Sequence, residues 1–263
     1  MIDIDEILKG KINDSSNQLE NSIINLREKI QEAPMCISIG QDYFGNPAPV
    51  MTMGNISCLT GLGKSKKTFF KSAVVSAYMG SEWHHIIGHR STDKYIIDID
   101  TEQSRFHCQK VFRRTEKMAG IYKNYIPMSL REYEPQQRLQ IIEAAIEKFK
   151  GNIGLIVIDG FADLLNDFNN LEESNLLVNK LMKWSTEQNC HITGILHLNP
   201  SQSNRKAMGH IGSMVIRKAE TVFQIIANDL EPRVSKVLCD FSRNVAFDEF
   251  NFRISDQGLP YKV

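Results

Sequence analysis

The residues best able to do chemistry stand in one run, Gly61-Leu62-Gly63-Lys64-Ser65-Lys66-Lys67-Thr68. It lies between an apolar stretch, ISCLT (56–60), and a helix-forming segment that starts near Lys67. A glycine-containing loop leaving a strand and opening a helix offers backbone N–H groups and a helix N-terminus to phosphate oxygens. The usual pattern is G-x-x-x-x-G-K-[ST]. Matching its ends puts Gly61 first and Lys67-Thr68 last, with Lys66 replacing the second glycine. Lys67 would then contact the β- and γ-phosphates and the Thr68 hydroxyl would ligate Mg²⁺, so the expected ligand is ATP with its metal. A rival register reads Gly63-Lys64-Ser65 as the G-K-S, but puts Cys58 at the first glycine. The first register is preferred because its opening glycine stays at the strand end. Without further support the run is also compatible with a basic turn that binds nothing.

Phosphoryl transfer to water needs two carboxylates, one to support the metal and one to activate the attacking water. Asp159 closes LIVID, at the carboxyl end of an apolar run where ligands of α/β sheets collect. It is the expected metal-supporting acid, against the plainer reading of a strand-ending aspartate before Gly160. Glu102, in IDTEQS just after YIIDI, is the expected water-activating base. As an isolated feature DTE is only an acidic turn; its meaning comes from lying one strand and helix after the loop.

These groups must be held by a sheet. From about residue 50, strand-like and helix-like stretches alternate, which predicts a mostly parallel sheet flanked by helices. The strands expected are 56–60, 94–100, 153–159, 191–198 and three more near 221–227, 234–241 and 247–254. IGLIVID (153–159) is apolar throughout, as in a central strand buried on both faces. Pro135 opens a helix whose Leu139, Ile142, Ala145, Ile146 and Phe149 share a face, and another helix is expected at about 172–188. Residues 1–33 read as an N-terminal helical extension, with Leu19, Ile23, Leu26 and Ile30 at helical spacing and Pro34 ending the pattern. Residues 34–263 form the main domain.

TGLGKSKKTFF, DTEQS, IDGFADLLNDF and GHIGSMVIRKAETV together resemble the RecA/DnaB superfamily of P-loop ATPases. They are most similar to a RepA-like AAA-type subgroup associated with mobile elements of Bacteroides-like bacteria. The likeness covers roughly residues 34 to 255. It implies a RecA-like P-loop NTPase fold and a DNA-linked ATPase that assembles into a homo-oligomeric ring or filament. It assigns Glu102 as catalytic base and tolerates a basic residue at Lys66, which supports the Lys67-Thr68 register. His197 and Asn199 fall where such proteins carry a polar sensor of the γ-phosphate; a strand-end histidine satisfied by backbone is the alternative. Arg243, in DFSRNVAFDEF, matches an arginine finger acting across a subunit interface, but Phe241 replaces the lysine of that segment. Arg217 and Lys218 are rival fingers. Arg205 and Lys206, in SQSNRKAMGH, fall in the loop that would face single-stranded DNA.

Composition narrows the classes further. The 263 residues carry 31 basic and 31 acidic side chains, so a nucleic-acid partner must be met by local patches. The basic, aromatic segment VFRRTEKMAGIYKNY (111–125) is one such patch, or else a solvated helix face. Five scattered cysteines without C-x-x-C spacing point to reduced thiols in a cytoplasm, and no apolar run is long enough to span a membrane. His84, His85 and His89 read as a surface loop, not a metal site. The function expected is helicase-like, in replication or mobilisation of a genetic element. Two alternatives are a non-motor ATP-binding scaffold that recruits other DNA-processing proteins, and a recombinase filament.

Overall fold

The computed structural model describes residues 16–81, 83, 85–91, 93–200 and 207–263. The chain divides into two compact units, 1–32 and 33–263. In the first, only 16–22 are helical among the described residues. The expected helix therefore stops more than ten residues before Pro34. Asn25 accepts the Arg27 N–H through its side chain, a local bond that competes with helix. Leu19, Ile23, Leu26 and Ile30 are all exposed, so burial adds nothing to carry the helix past residue 22.

The second unit is built on a nine-stranded sheet. In chain order the strands are β1 (Met35–Gln41), β2 (Pro47–Thr52), β3 (Ile56–Gly61), β4 (Ile86–Gly88), β5 (Tyr95–Asp100), β6 (Tyr125–Ser129), β7 (Ile153–Asp159), β8 (His191–His197), β9 (Thr221–Ala227), β10 (Val234–Ser242), β11 (Phe250–Ile254) and β12 (Pro260–Lys262). The helices are α1 (Lys67–Met79), α2 (Arg105–Ala119), α3 (Pro135–Lys148), α4 (Leu171–Gln188) and α5 (Gly209–Lys218). The large sheet runs β12-β11-β10-β9-β3-β8-β7-β5-β6. Its pairings from β9 to β6 are parallel, and β10 to β12 add an antiparallel wing.

Alternation along the central strands sorts residues onto two cores. Leu155 and Val157 of β7 join Ile96, Phe70, Val74 and Tyr78 under α1 and α2. Ile156 and Ile158 join Ile97, Ile99, Ile142, Leu177 and Ile211 under α3, α4 and α5. The same parity puts Asp98, Asp100 and Asp159 on the α1 face. Helix starts follow their caps: Pro135 is the first residue of α3, with Glu134 and Gln137 forming a reciprocal cap. Asn170 caps α4 by accepting the Glu172 and Glu173 N–H groups.

A three-stranded antiparallel sheet, β2-β1-β4, is an element the alternation reading misses. Its strands are short and separated by α1. Ile37, Val50 and Ile86 bury in the α1 core, and β4 lies so close to α1 that a Cβ on Gly88 would meet the Ala77 carbonyl oxygen at 2.2 Å.

Candidate functional site

Parallel pairing brings the carboxyl ends of β3, β5, β7 and β8 to one edge of the sheet, where Gly61, Asp100, Asp159 and His197 stand. Gly61 pairs with His197 and Asp100 with Asp159. This is the edge at which α/β folds bind ligands.

The loop after Gly61 turns into α1 with Lys66 as its N-cap, in the left-handed conformation (φ 71°, ψ 28°). That conformation is why glycine is usual there, and a lysine holds it at a cost of about 1–2 kcal/mol. Lys66 is anchored elsewhere: its Nζ donates to the Val234 carbonyl at 3.2 Å and the Ser235 hydroxyl at 3.2 Å. Ser235 Oγ in turn donates to the Ser65 carbonyl at 3.0 Å, so the start of β10 braces the loop. Gly61 is required sterically, because a Cβ there would lie 2.5 Å from both the Ile225 carbonyl oxygen and Ser65 Oγ. Gly63 and Lys64 are exposed and Ser65 is buried.

Lys67 is the first residue of α1 and is buried, folded back over the loop. Its Nζ donates to the carbonyls of Gly61 (2.9 Å) and Leu62 (2.8 Å) and lies 3.3 Å from His197 Nδ1. An ammonium has no acceptor, so His197 Nδ1 accepts and its Nε2–H donates to Glu102 Oε1 at 3.0 Å. The histidine thus connects the loop lysine to the glutamate of the β5 end. The bond from His197, outweighing burial, holds the Glu102 carboxyl below its usual range. Burial pulls the Lys67 ammonium down, against the pull of Asp159 and Glu102.

Asp159 is buried at the back of the same cleft. Burial raises its pKa to about 6; Lys71 lowers it, and Asp100, Glu102 and Asp98 raise it. Lys71 lies one helical turn beyond Lys67, 3.1 Å from Asp98 Oδ1 and 3.6 Å from Asp159 Oδ2, with no exposed side-chain surface. Tyr125 Oη donates to Asp98 Oδ2 at 2.7 Å, completing that buried set. Asp100 accepts the N–H groups of Glu102 and Gln103 and so shapes the turn that carries Glu102. Thr101 N–H donates to the Asp159 carbonyl at 2.7 Å and Thr101 Oγ1 accepts Gly160 N–H at 2.8 Å, locking the ends of β5 and β7 together. Lys71, Asp98, Asp100 and Thr101 were missed in the reading of the sequence. The signals existed: a lysine inside the apolar helix FFKSAVVSAYM, four residues after Lys67, and alternating acids in YIIDID.

A cleft of about 300 Å³ is bordered by Lys64 to Phe69, Glu102, Gln103, Arg114, Asp159 and His197. Asp159 Oδ2 and Ser65 Oγ are buried with no hydrogen-bond partner in the protein. Among the described residues no three His, Cys, Asp or Glu side chains gather to hold a metal unaided. Thr68 and Asp159 both border the cleft; one hydroxyl and one carboxylate are a donor set that suits Mg²⁺, which keeps several waters and seldom takes an all-protein cage.

Other expected site residues lie apart. Arg243 follows β10; its backbone N–H donates to the Glu220 carbonyl and its Nη2 to the Lys218 carbonyl at 3.0 Å. Glu220 precedes β9, whereas Ile225 of β9 stands beside Gly61. Five extended residues separate them, ~17 Å, so Arg243 is at the far edge of the sheet from its own Lys67. Arg217 and Lys218 end α5, exposed, near that same far edge. Arg205, Lys206 and His84 lie outside the described residues. His89 Nε2 is 2.7 Å from Ser38 Oγ.

No protein-family model matches the sequence, and no curated protein matches it significantly. Among solved structures the chain is similar to the crystal structure of the RadB recombinase, with a TM-score of 0.59 at 14% identity, covering 84% of this chain and 94% of that one. The fold is therefore RecA-like: a large, mostly parallel sheet flanked by helices. No helix among the described residues is long and apolar enough to cross a membrane.

Proposed function

We propose that the chain is a DNA-associated ATPase that binds ATP with Mg²⁺ at the Lys67 cleft and hydrolyses it. The observation that carries this is the chain of contacts Lys67–His197–Glu102 across a cleft backed by Asp159. A phosphate-binding lysine, a carboxylate held ionised and a second carboxylate for the metal stand within one site, at the edge where α/β folds take ligands.

Lys67 orients the terminal phosphates, which compete with the Gly61 and Leu62 carbonyls for its three N–H donors. Loop N–H groups and the α1 N-terminus bind the remaining phosphate oxygens. The Thr68 hydroxyl would ligate Mg²⁺ with Asp159 behind its waters, and the metal when bound would neutralise charge on the phosphates. Glu102 accepts a proton from the attacking water; its bond to His197 keeps it deprotonated until then. His197, touching both Lys67 and Glu102, is the γ-phosphate sensor. Arg243 acts from a neighbouring subunit, a role supported by its distance from its own cleft. The work driven is helicase-like, of the RepA/DnaB type, on single-stranded DNA during replication or mobilisation of a genetic element, by a cytoplasmic homo-oligomer.

The test is ATP hydrolysis with and without single-stranded DNA, beside binding of a fluorescent ATP analogue. Lys67→Ala should lose nucleotide binding, and Glu102→Gln should bind while turnover falls about 10²–10⁴-fold. Wild-type binding without any turnover would replace the enzyme by a scaffold, a reading favoured by Lys66 at the usual glycine position. Long filaments on DNA by electron microscopy would favour the recombinase reading suggested by RadB.

A further inference from the structure

Helix α2 carries a face that the ATPase chemistry leaves unused. The helix holds five cations, Arg105, Lys110, Arg113, Arg114 and Lys117, against one carboxylate, Glu116, for a local charge of +4 on a chain whose charges sum to zero. Phe106, Lys110, Arg113 and Lys117 recur at helical spacing and form one stripe. Phe106 is 72% exposed, and Lys110, Arg113 and Lys117 are exposed with no carboxylate in ion-pair range among the described residues. Solvent-facing helices more often pair such charges with acids three or four residues away; here they stand together beside an open aromatic ring. Grooves of about 530 and 550 Å³ flank the helix, and Phe106 and Arg113 border both.

We propose that this face of α2 binds single-stranded nucleic acid, with Lys110, Arg113 and Lys117 on phosphates and Phe106 stacked on a base. The inference rests on the reading of the chain as a DNA-associated protein, and assigns the surface that does the binding. Clustered cations beside an exposed aromatic are the combination that binds single strands with little sequence preference. The helix lies against its own domain with grooves on either side, a shape that suits a flexible strand laid along it better than the major groove of a duplex, which a protruding helix enters. The face also communicates with the nucleotide cleft. Phe69, Gln103, Val111 and Arg114 border both the cleft and the first groove. Arg114 stacks on Phe69 at 3.6 Å and approaches the Thr68 carbonyl at 3.4 Å, so a strand on α2 would bear on the residue next to Lys67.

The experiment is anisotropy of a labelled oligothymidylate titrated with the full chain over a series of salt concentrations. It is repeated for Phe106→Ala and for the triple variant Lys110→Gln/Arg113→Gln/Lys117→Gln, with circular dichroism to verify the fold. Each phosphate contact on a single strand contributes about 0.7 to the slope of log affinity against log salt. The triple variant should therefore lose about 2 from that slope and bind about tenfold or more weakly at low salt. Phe106→Ala should bind about fivefold or more weakly with the slope unchanged. Both should bind a fluorescent ATP analogue as the wild type does. Wild-type affinity and slope in the triple variant would overturn the proposal while leaving the DNA reading intact. Lost ATP binding in that variant would give the groove to the nucleotide, and a changed oligomeric state with unchanged DNA binding would give it to a second copy; either result overturns it. Absence of any DNA binding by the wild type would overturn both this assignment and the DNA-associated function.

Discussion

Lys71 offers the sharpest test of how the site is built. Its ammonium, Asp98 and Asp159 have 0%, 0% and 4% side-chain exposure, with contacts of 3.1 and 3.6 Å. At an effective dielectric near 20, each contact is worth ~5 kcal/mol of Coulomb attraction, set against the desolvation of all three groups. Burial disfavours the ammonium, yet Asp98, Asp159 and Asp100 outweigh it and hold its pKa above that of an ordinary lysine. Lys71→Met removes one cation and strands two carboxylates, which should destabilise by ~3–5 kcal/mol and lower Tm by ~6–20 °C. Asp98→Asn leaves Lys71 paired to Asp159 and keeps an acceptor for Tyr125, so its loss should be smaller, ~1–3 kcal/mol. The double variant removes both charges of the closer pair and should be more stable than Lys71→Met by ~1 kcal/mol or more. Urea unfolding followed by circular dichroism measures all four corners of the cycle. A loss below ~1 kcal/mol in Lys71→Met, or simple additivity in the double variant, would refute the buried charge cluster.

Three other outcomes follow from the same geometry. Asp159→Asn should raise stability at neutral pH by up to ~3 kcal/mol while slowing hydrolysis, since the wild-type carboxyl titrates near 6 in the fold. With the folded pKa raised, the native state binds more protons than the unfolded chain; the aspartate is most favourable below about pH 4 and loses that contribution as pH rises through 6, so the variant's advantage in urea melts should vanish in acid. Gly61→Ala drives a Cβ against the Ile225 carbonyl oxygen, and should cost ~1–3 kcal/mol and most of the nucleotide affinity, read by melts and by titration of an ATP analogue. Arg243→Ala should bind ATP normally and turn over at least ~10³-fold more slowly; mixing it with Lys67→Ala should restore some hydrolysis, and no recovery in the mixture would remove the trans role.

Much of this was legible in the sequence. The strand, loop and helix around Gly61 and Lys67, the candidate phosphate site, were legible because the pattern is local: strand, glycine, lysine and helix start follow one another within a dozen residues. IGLIVID announces a buried central strand through continuous apolarity, and Asn170 and Pro135 mark helix starts through bonds made within one turn. Alternation in YIIDID already puts Asp98 and Asp100 on one face. The expected N-terminal helix does not continue past residue 22, because spacing signals a possible face and only burial turns it into a stable one; its apolar residues there stay exposed.

What only the tertiary structure decided are relations between residues far apart in the chain. Lys71 sits 88 residues before Asp159 and meets it because α1 packs across β5 and β7. His197 reaches Lys67 because β8 pairs with β3 in parallel, bringing Gly61 beside it. Arg243 stands at the opposite edge from Lys67 because β10 runs antiparallel to its neighbour β9. Sequence fixes which side of a strand each residue takes, since the side-chain period is local. Strand order and direction decide which carboxylate meets which cation, and these emerge when the whole sheet buries its two faces.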